Sequence, residues 1–147
     1  MDNNEVVCEW VRFAETDFET AKYLFDKMIP KPLEIICYHC EQAAEKLLKA
    51  FLIANQVMPP KTHDLIRLCE MCEDIDTSFE EMASSCVSLT KYGIAPRYPY
   101  ELNIMEGETE KALQGAQTIH LFISDRLNPT SDTVCEHKEK TKPDDSD

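Results

Sequence analysis

An all-α fold follows from three features of the 147-residue sequence. Apolar residues recur at steps of three and four through several long segments, the period of helices with one buried face. Only 3 Gly stand against 8 Pro, and the prolines fall between the periodic segments, where they read as punctuation between helices. An apolar content of 43% supplies an ordinary core, and the length suits one domain. The expected architecture is an antiparallel helical bundle of about five helices, a four-helix up-and-down core plus a short helix, over residues 4–127. A disordered acidic tail is expected over 128–147.

The first helix, from about Asn4 to Met28, places Val6, Trp10, Phe13, Ala14, Ala21, Leu24 and Met28 on one face, with Asp17 among them. A carboxylate inside an apolar stripe is costly unless a cation or several donors reach it. Asp17 therefore marks a buried polar contact or a place where the stripe meets a solvated cleft. Pro30 and Pro32 end this helix and open the next, and so short a connection predicts an antiparallel hairpin.

The segment Pro32 to Asn55 is the one on which the others should pack. Leu33, Ile36, Cys37, Cys40, Ala44, Leu47, Phe51 and Ala54 form its stripe, opposite Glu34, Glu41, Gln42, Glu45 and Lys49. On a surface face, Glu45 and Lys49 would make an i,i+4 pair worth a few tenths of a kcal/mol. Pro59 and Pro60 stop the helix, and Thr62 can cap a third one by accepting from the N–H of Asp64 or Leu65. That helix carries Leu65, Leu68, Cys69, Cys72 and Ile75. Ser78 can cap a fourth, with Glu80 and Glu81 near its positive end and Phe79, Met82, Ala83, Cys86 and Leu89 inward. The stretch KYGIAPRYPYELN is irregular, crowding three Tyr and Arg97 between helix breakers. The last helix, from about Met105 to Leu127, turns Met105, Ala112, Ala116, Ile119, Ile123 and Leu127 inward, with Thr109 and His120 as polar exceptions. Beyond it, too little apolar area exists to offset the entropy of ordering.

A formal net charge of −13 argues against broad nucleic-acid binding, which needs arrays of Lys and Arg, but leaves room for a local cationic pocket. No apolar run is long enough to span a bilayer, and MDNNEVVCEW lacks the pattern of a signal peptide, so a cytoplasmic protein without membrane association is expected. The seven cysteines then need not be staples.

Cys37 to Cys40 and Cys69 to Cys72 are two CxxC pairs that could supply four thiolates to zinc. Their separation exceeds that of a usual ribbon or finger, no knuckle glycines accompany them, and both pairs fit the inward phase of their helices. Core packing is the expectation, with no metal and no cofactor. His39 could activate a neighbouring thiol only if adjacent helical positions faced each other, which they do not. Two polar clusters remain. Lys61, Thr62, His63 and Asp64 open the third helix, where free N–H groups and a lysine can hold an anion. Arg97 and Tyr98 join a guanidinium fork to an aromatic ring, which suits a phosphate and a base.

At these residues the sequence resembles the HEPN family of all-α domains. The resemblance spans about Val7 to Leu127 and is carried by Ala14 to Ala21, Tyr38 to Ala50, Pro59 to Leu65, and Arg97-Tyr98-Pro99. Members occur with nucleotidyltransferases and in toxin–antitoxin systems. Ribonuclease members carry an Arg followed four to six residues later by a His, and none of Arg12, Arg67, Arg97 or Arg126 is followed by a His at that spacing. The resemblance thus implies a domain that is non-catalytic alone, binds a nucleotide or similar anion and serves a minimal nucleotidyltransferase as accessory subunit, with homodimers as the default assembly. Arg97 would take phosphate, Tyr98 would stack or donate, Lys61 and His63 would support, and Asp17 would orient Arg97. The polar edge with His39, Gln42, Lys46 and Lys49 is the expected ligand or partner face. The alternatives are an endoribonuclease toxin using an unrecognised base such as His39 or His120, and a purely structural helical dimer.

Overall fold

A computed structural model describes residues 2–93 and 103–127. The tail expected over 128–147, and Arg97 and Tyr98 with it, lie outside the described residues. Among the described residues there is no strand. The helices are α1 (Asn3–Lys27), α2 (Leu33–Ala54), α3 (Leu65–Ile75), α4 (Ala83–Thr90) and α5 (Glu106–Leu127), with short 3₁₀ turns at Thr77–Met82 and Lys91–Gly93.

Helix α2 is the centre of the bundle, and α1, α3, α4 and α5 all pack on it. The expectation of one buried face is corrected here. From Ile36 to Leu52 burial extends well beyond the stripe and takes in Glu41, Glu45 and Lys49, while Tyr38, His39, Gln42 and Lys46 stay partly open. Ala43, Leu48, Ala50 and Leu52 lie off the stripe and are equally buried. A helix apolar on most sides belongs at the centre of its fold.

Helix α1 opens with a capping box: the Asp2 side chain accepts from the N–H of Glu5, whose own side chain accepts from the N–H of Asp2. It runs antiparallel to α2. The Asn3 amide donates to the Ile53 carbonyl at 2.8 Å, while Asp17, further along α1, reaches His39 and Lys46, nearer the start of α2. Its buried line is Cys8, Ala14, Asp17, Phe18 and Ala21, so Phe13 and Met28, expected inward, are exposed. The same holds for Ile75, Ala83 and Met105. These five lie at the margins of their stripes, where a neighbouring helix no longer covers them.

The helix ends also differ from expectation. A Schellman arrangement, not Pro59-Pro60, ends α2: the Val57 N–H donates to the Leu52 carbonyl, the Gln56 N–H to that of Ile53, and Gln56 takes a left-handed φ of 67°. Thr62 does accept from Asp64 N, but Asp64 is the residue that caps α3, accepting from Ile66 N and Arg67 N. Asp76 in turn caps the following 3₁₀ turn through Ser78 N. Arg126 of α5 grips that junction through Asp76 and Ser78.

Across the core, Phe51, Phe79 and Phe122 form a chain of ring contacts at 4.6 and 4.9 Å. The four CxxC thiols are free and buried among these elements. The Cys37 thiol donates to Thr109 Oγ1, that of Cys69 to the Phe79 carbonyl and that of Cys72 to the Leu48 carbonyl. Burial pushes the Cys40 and Cys72 thiols well above the usual range, so they remain protonated, poor metal ligands. Thr109, a polar exception, meets its need by donating to the Met105 carbonyl.

Candidate functional site

The polar residues of α2 fall at steps that stack them along one edge of the helix: His39, Gln42, Glu45, Lys46 and Lys49. Because α1 packs antiparallel along that edge, it brings Asp17 against them. One Asp17 oxygen meets His39 Nδ1 at 2.8 Å and the other accepts from Lys46 Nζ at 2.6 Å. Burial works against ionising Asp17, but the hydrogen bonds and charges of His39 and Lys46 outweigh it and hold the carboxyl below its usual range. This is the cation that a carboxylate inside an apolar stripe requires.

One turn along, Glu45 accepts from Lys49 Nζ at 2.9 Å and meets His63 Nδ1 at 3.0 Å. The Glu45 and Lys49 side chains are only 6% and 10% exposed, so this is an enclosed ion pair and the surface value for i,i+4 pairs does not apply. Lys46, at 23% side-chain exposure, is the more open ammonium. The Trp10 ring of α1 lies by Lys49, 5.8 Å from ammonium to ring centroid.

Behind this row sits Glu41, with no exposed surface at all. The Gln42 amide donates to its Oε1 at 2.8 Å and, more weakly, to Glu45 at 3.4 Å, while Glu41 Oε2 has no hydrogen-bond partner. Burial first, and then the charge of Glu45, push the Glu41 carboxyl up to about 8, so it is a neutral acid at pH 7. Gly93 presses on the same carboxyl: a Cβ there would lie 2.8 Å from Oε2. The 3₁₀ turn at Gly93 is therefore seated directly on α2, and Tyr92 beside it hydrogen-bonds Glu108 of α5.

Of the residues expected at a site, the structure brings together Asp17, His39, Lys46, Lys49 and His63. Lys61 is exposed at the surface. Arg97 and Tyr98, and with them the pairing of Asp17 with Arg97, fall outside the described residues. The start of α3 does not offer the free donors expected there: Leu65 N is taken by Thr90 Oγ1, and Ile66 N and Arg67 N by Asp64. His63 turns to Glu45 instead. The apolar periodicity sets Glu41 and Glu45 opposite the buried stripe, yet both are enclosed; the signal for it is Ala43, Leu48, Ala50 and Leu52, apolar residues of α2 that fall off the stripe. His120, on α5, stands apart, near Phe18 with Nε2 3.2 Å from Glu15.

No group of three or more His, Cys, Asp or Glu side chains able to hold a metal ion occurs among the described residues. No helix there is long and apolar enough to cross a membrane.

Among solved structures, TT1696 from Thermus thermophilus is similar with a TM-score of 0.70 and 26% identity, covering 82% of this chain and 98% of that one. ST0689, described as an archaeal HEPN homologue, shares the fold with a TM-score of 0.63 and 19% identity, covering 82% of this chain and 97% of its own. No curated protein matches. The family model for the HEPN domain matches residues 7–126, from the first turns of α1 to the last turn of α5, and the chain belongs to the HEPN domain family.

Proposed function

We propose that this HEPN domain is non-catalytic alone, binds a nucleotide or similar anion along the polar edge of α2, and acts as accessory subunit to a minimal nucleotidyltransferase. The observation that carries the reading is the pair of ion clusters on successive turns, Asp17 with His39 and Lys46, and Glu45 with Lys49 and His63. Two carboxylates balance two ammonium groups, and the two imidazoles tip the edge positive when protonated. Held by their carboxylates and partly withdrawn from water, these cations are oriented before an anion arrives and act in a medium of lowered dielectric. This local balance runs against the net charge of −13 for the whole chain.

Arg97 adds a bidentate phosphate donor in this reading, and Tyr98 a stacking or hydroxyl contact. Lys61 is a peripheral donor. The metal-binding carboxylates of nucleotidyl transfer come from the partner, and the domain serves by presenting the nucleotide. Calorimetric titration with nucleoside mono-, di- and triphosphates tests this, with Arg97→Ala and Lys46→Gln as variants. Saturable binding to the native chain that weakens in both variants is expected. Absence of binding, or unchanged affinity in both variants, would end the reading.

A further inference from the structure

Trp10 is the protein's single tryptophan. It lies seven residues before Asp17 on α1, and seven residues put two side chains on one face, ~10 Å apart along the axis. The α1–α2 edge therefore runs from an indole beside Lys49, past Glu45, to the His39 and Lys46 cluster on Asp17. Trp10 keeps part of its surface in solvent while standing next to the most enclosed cation of the site.

That combination matches one kind of ligand. A nucleobase stacks on an aromatic ring, and a nearby ammonium favours the stack by its attraction to the π systems. Phosphates need the cations at the other end. A ligand carrying both groups at about the separation set by two helical turns engages the whole row, whereas inorganic phosphate or a bare nucleoside engages one end only. Resting on the reading of the α2 edge as an anion site, we infer that Trp10 is the base platform of that site and that the ligand is a nucleoside polyphosphate, its phosphates directed toward Lys46 and His39. Lys49 then serves two contacts, the indole on one side and the Glu45 carboxylate on the other. This makes its place in the row one of positioning.

The single tryptophan makes the inference directly readable. ATP and inorganic tripolyphosphate, which has the charge without the base, are titrated into the full chain by calorimetry, with tryptophan emission followed in parallel. Both are expected to bind, ATP more tightly, and ATP alone is expected to quench the emission by stacking, over the concentration range of its binding isotherm. Trp10→Leu is expected to weaken ATP by roughly tenfold or more, the scale of one lost base stack, and to leave tripolyphosphate unchanged. Trp10→Phe keeps a ring and retains most of the ATP affinity. ATP that binds by calorimetry without altering the emission, or loses no more affinity than tripolyphosphate in both variants, overturns the role of Trp10 and leaves the anion site standing. If neither ligand binds the native chain, the anion site falls and the platform with it.

Discussion

Glu41→Gln is the substitution that most directly probes the centre of the bundle. The native carboxyl is fully enclosed, shares the Gln42 amide with Glu45 and has one unpartnered oxygen. Raised from 4.5 to about 8, it keeps its proton in the folded state over a range where the unfolded chain has released it. A raised carboxyl makes its full contribution to stability below the unfolded value, near pH 4.5, and loses it as pH rises through the folded value near 8. At about 1.4 kcal/mol per unit of difference, the loss is on the order of 3 kcal/mol by pH 7 and roughly 5 once the folded acid has ionised. Glutamine has nearly the same shape, can accept from Gln42 through its carbonyl, and has nothing to ionise. Urea unfolding at pH 5, 7 and 9 should therefore find the two proteins close in stability at pH 5 and the variant ahead by a few kcal/mol at pH 9. Because only the difference between the proteins is read, titrations common to both cancel. A difference that stays flat across this range, or native stability that gains on the variant as pH rises, would refute the picture of a neutral buried acid.

Asp17→Asn removes the counter-charge of Lys46 and His39, and with those groups only partly enclosed the expected cost is about 2 kcal/mol by chemical denaturation. The depressed Asp17 carboxyl contributes stability above the usual carboxylate range that is lost as pH falls through its lower folded value, so the gap between native and variant should close in acid. A gap that widens there would contradict the pairing. Gly93→Ala drives a methyl to within 2.8 Å of Glu41 Oε2 and should cost roughly 1–3 kcal/mol, less in a Glu41→Ala background; equal penalties in both backgrounds would show that the contact is not the cause. Gln56→Gly relieves a left-handed position at the end of α2 and should raise stability by up to ~1 kcal/mol, whereas a lowered melting temperature would mean that the bond from the Asn3 amide to the Gln56 side chain matters more.

The architecture was legible because burial in helices is periodic. The segments around α1, α2 and α5 were found within a residue or two of their ends. Where the reading went wrong, a local rule was overridden by a neighbour. Thr62 has the chemistry of a cap and makes one of the expected bonds, but Asp64, one residue from the helix, captures the next two donors. Polar residues on α2 were assigned to water because polar residues usually face it. At a central helix most sides have a neighbour, and Glu41 and Glu45 have almost no solvent to face. Asp17 shows the opposite case: as a lone carboxylate in an apolar stripe it implied a buried cation, and Lys46 with His39 is what the fold supplies. No sequence pattern announces which cation answers which carboxylate, since that depends on the register of two helices.

That register bears on what the bundle is for. Enclosing Asp17, Glu45 and Lys49 against the central helix removes charges from water, and such pairs are on balance no more stabilising than well-packed apolar residues of similar size. Glu41 goes further, because a buried acid with an unpartnered oxygen beside a second carboxylate is unfavourable for folding at neutral pH. A helix serving only as the spine of a dimer would be better built without it. The edge makes sense if something other than stability is gained, and aligned cations on a rigid helix flanked by an aromatic ring provide it: an anion-binding row fixed before its ligand arrives. Replacing Glu41 should stabilise the fold, and if the row is functional the same replacement should alter nucleotide affinity, since removing an acid that ionises near pH 8 changes the charge behind Glu45 and Lys49. A Glu41→Gln protein more stable than the native chain at pH 9, yet with the same nucleotide affinity at pH 7 and pH 9 as the native chain, would separate the buried acid from the site and leave Asp17, Lys46 and Lys49 to carry it alone.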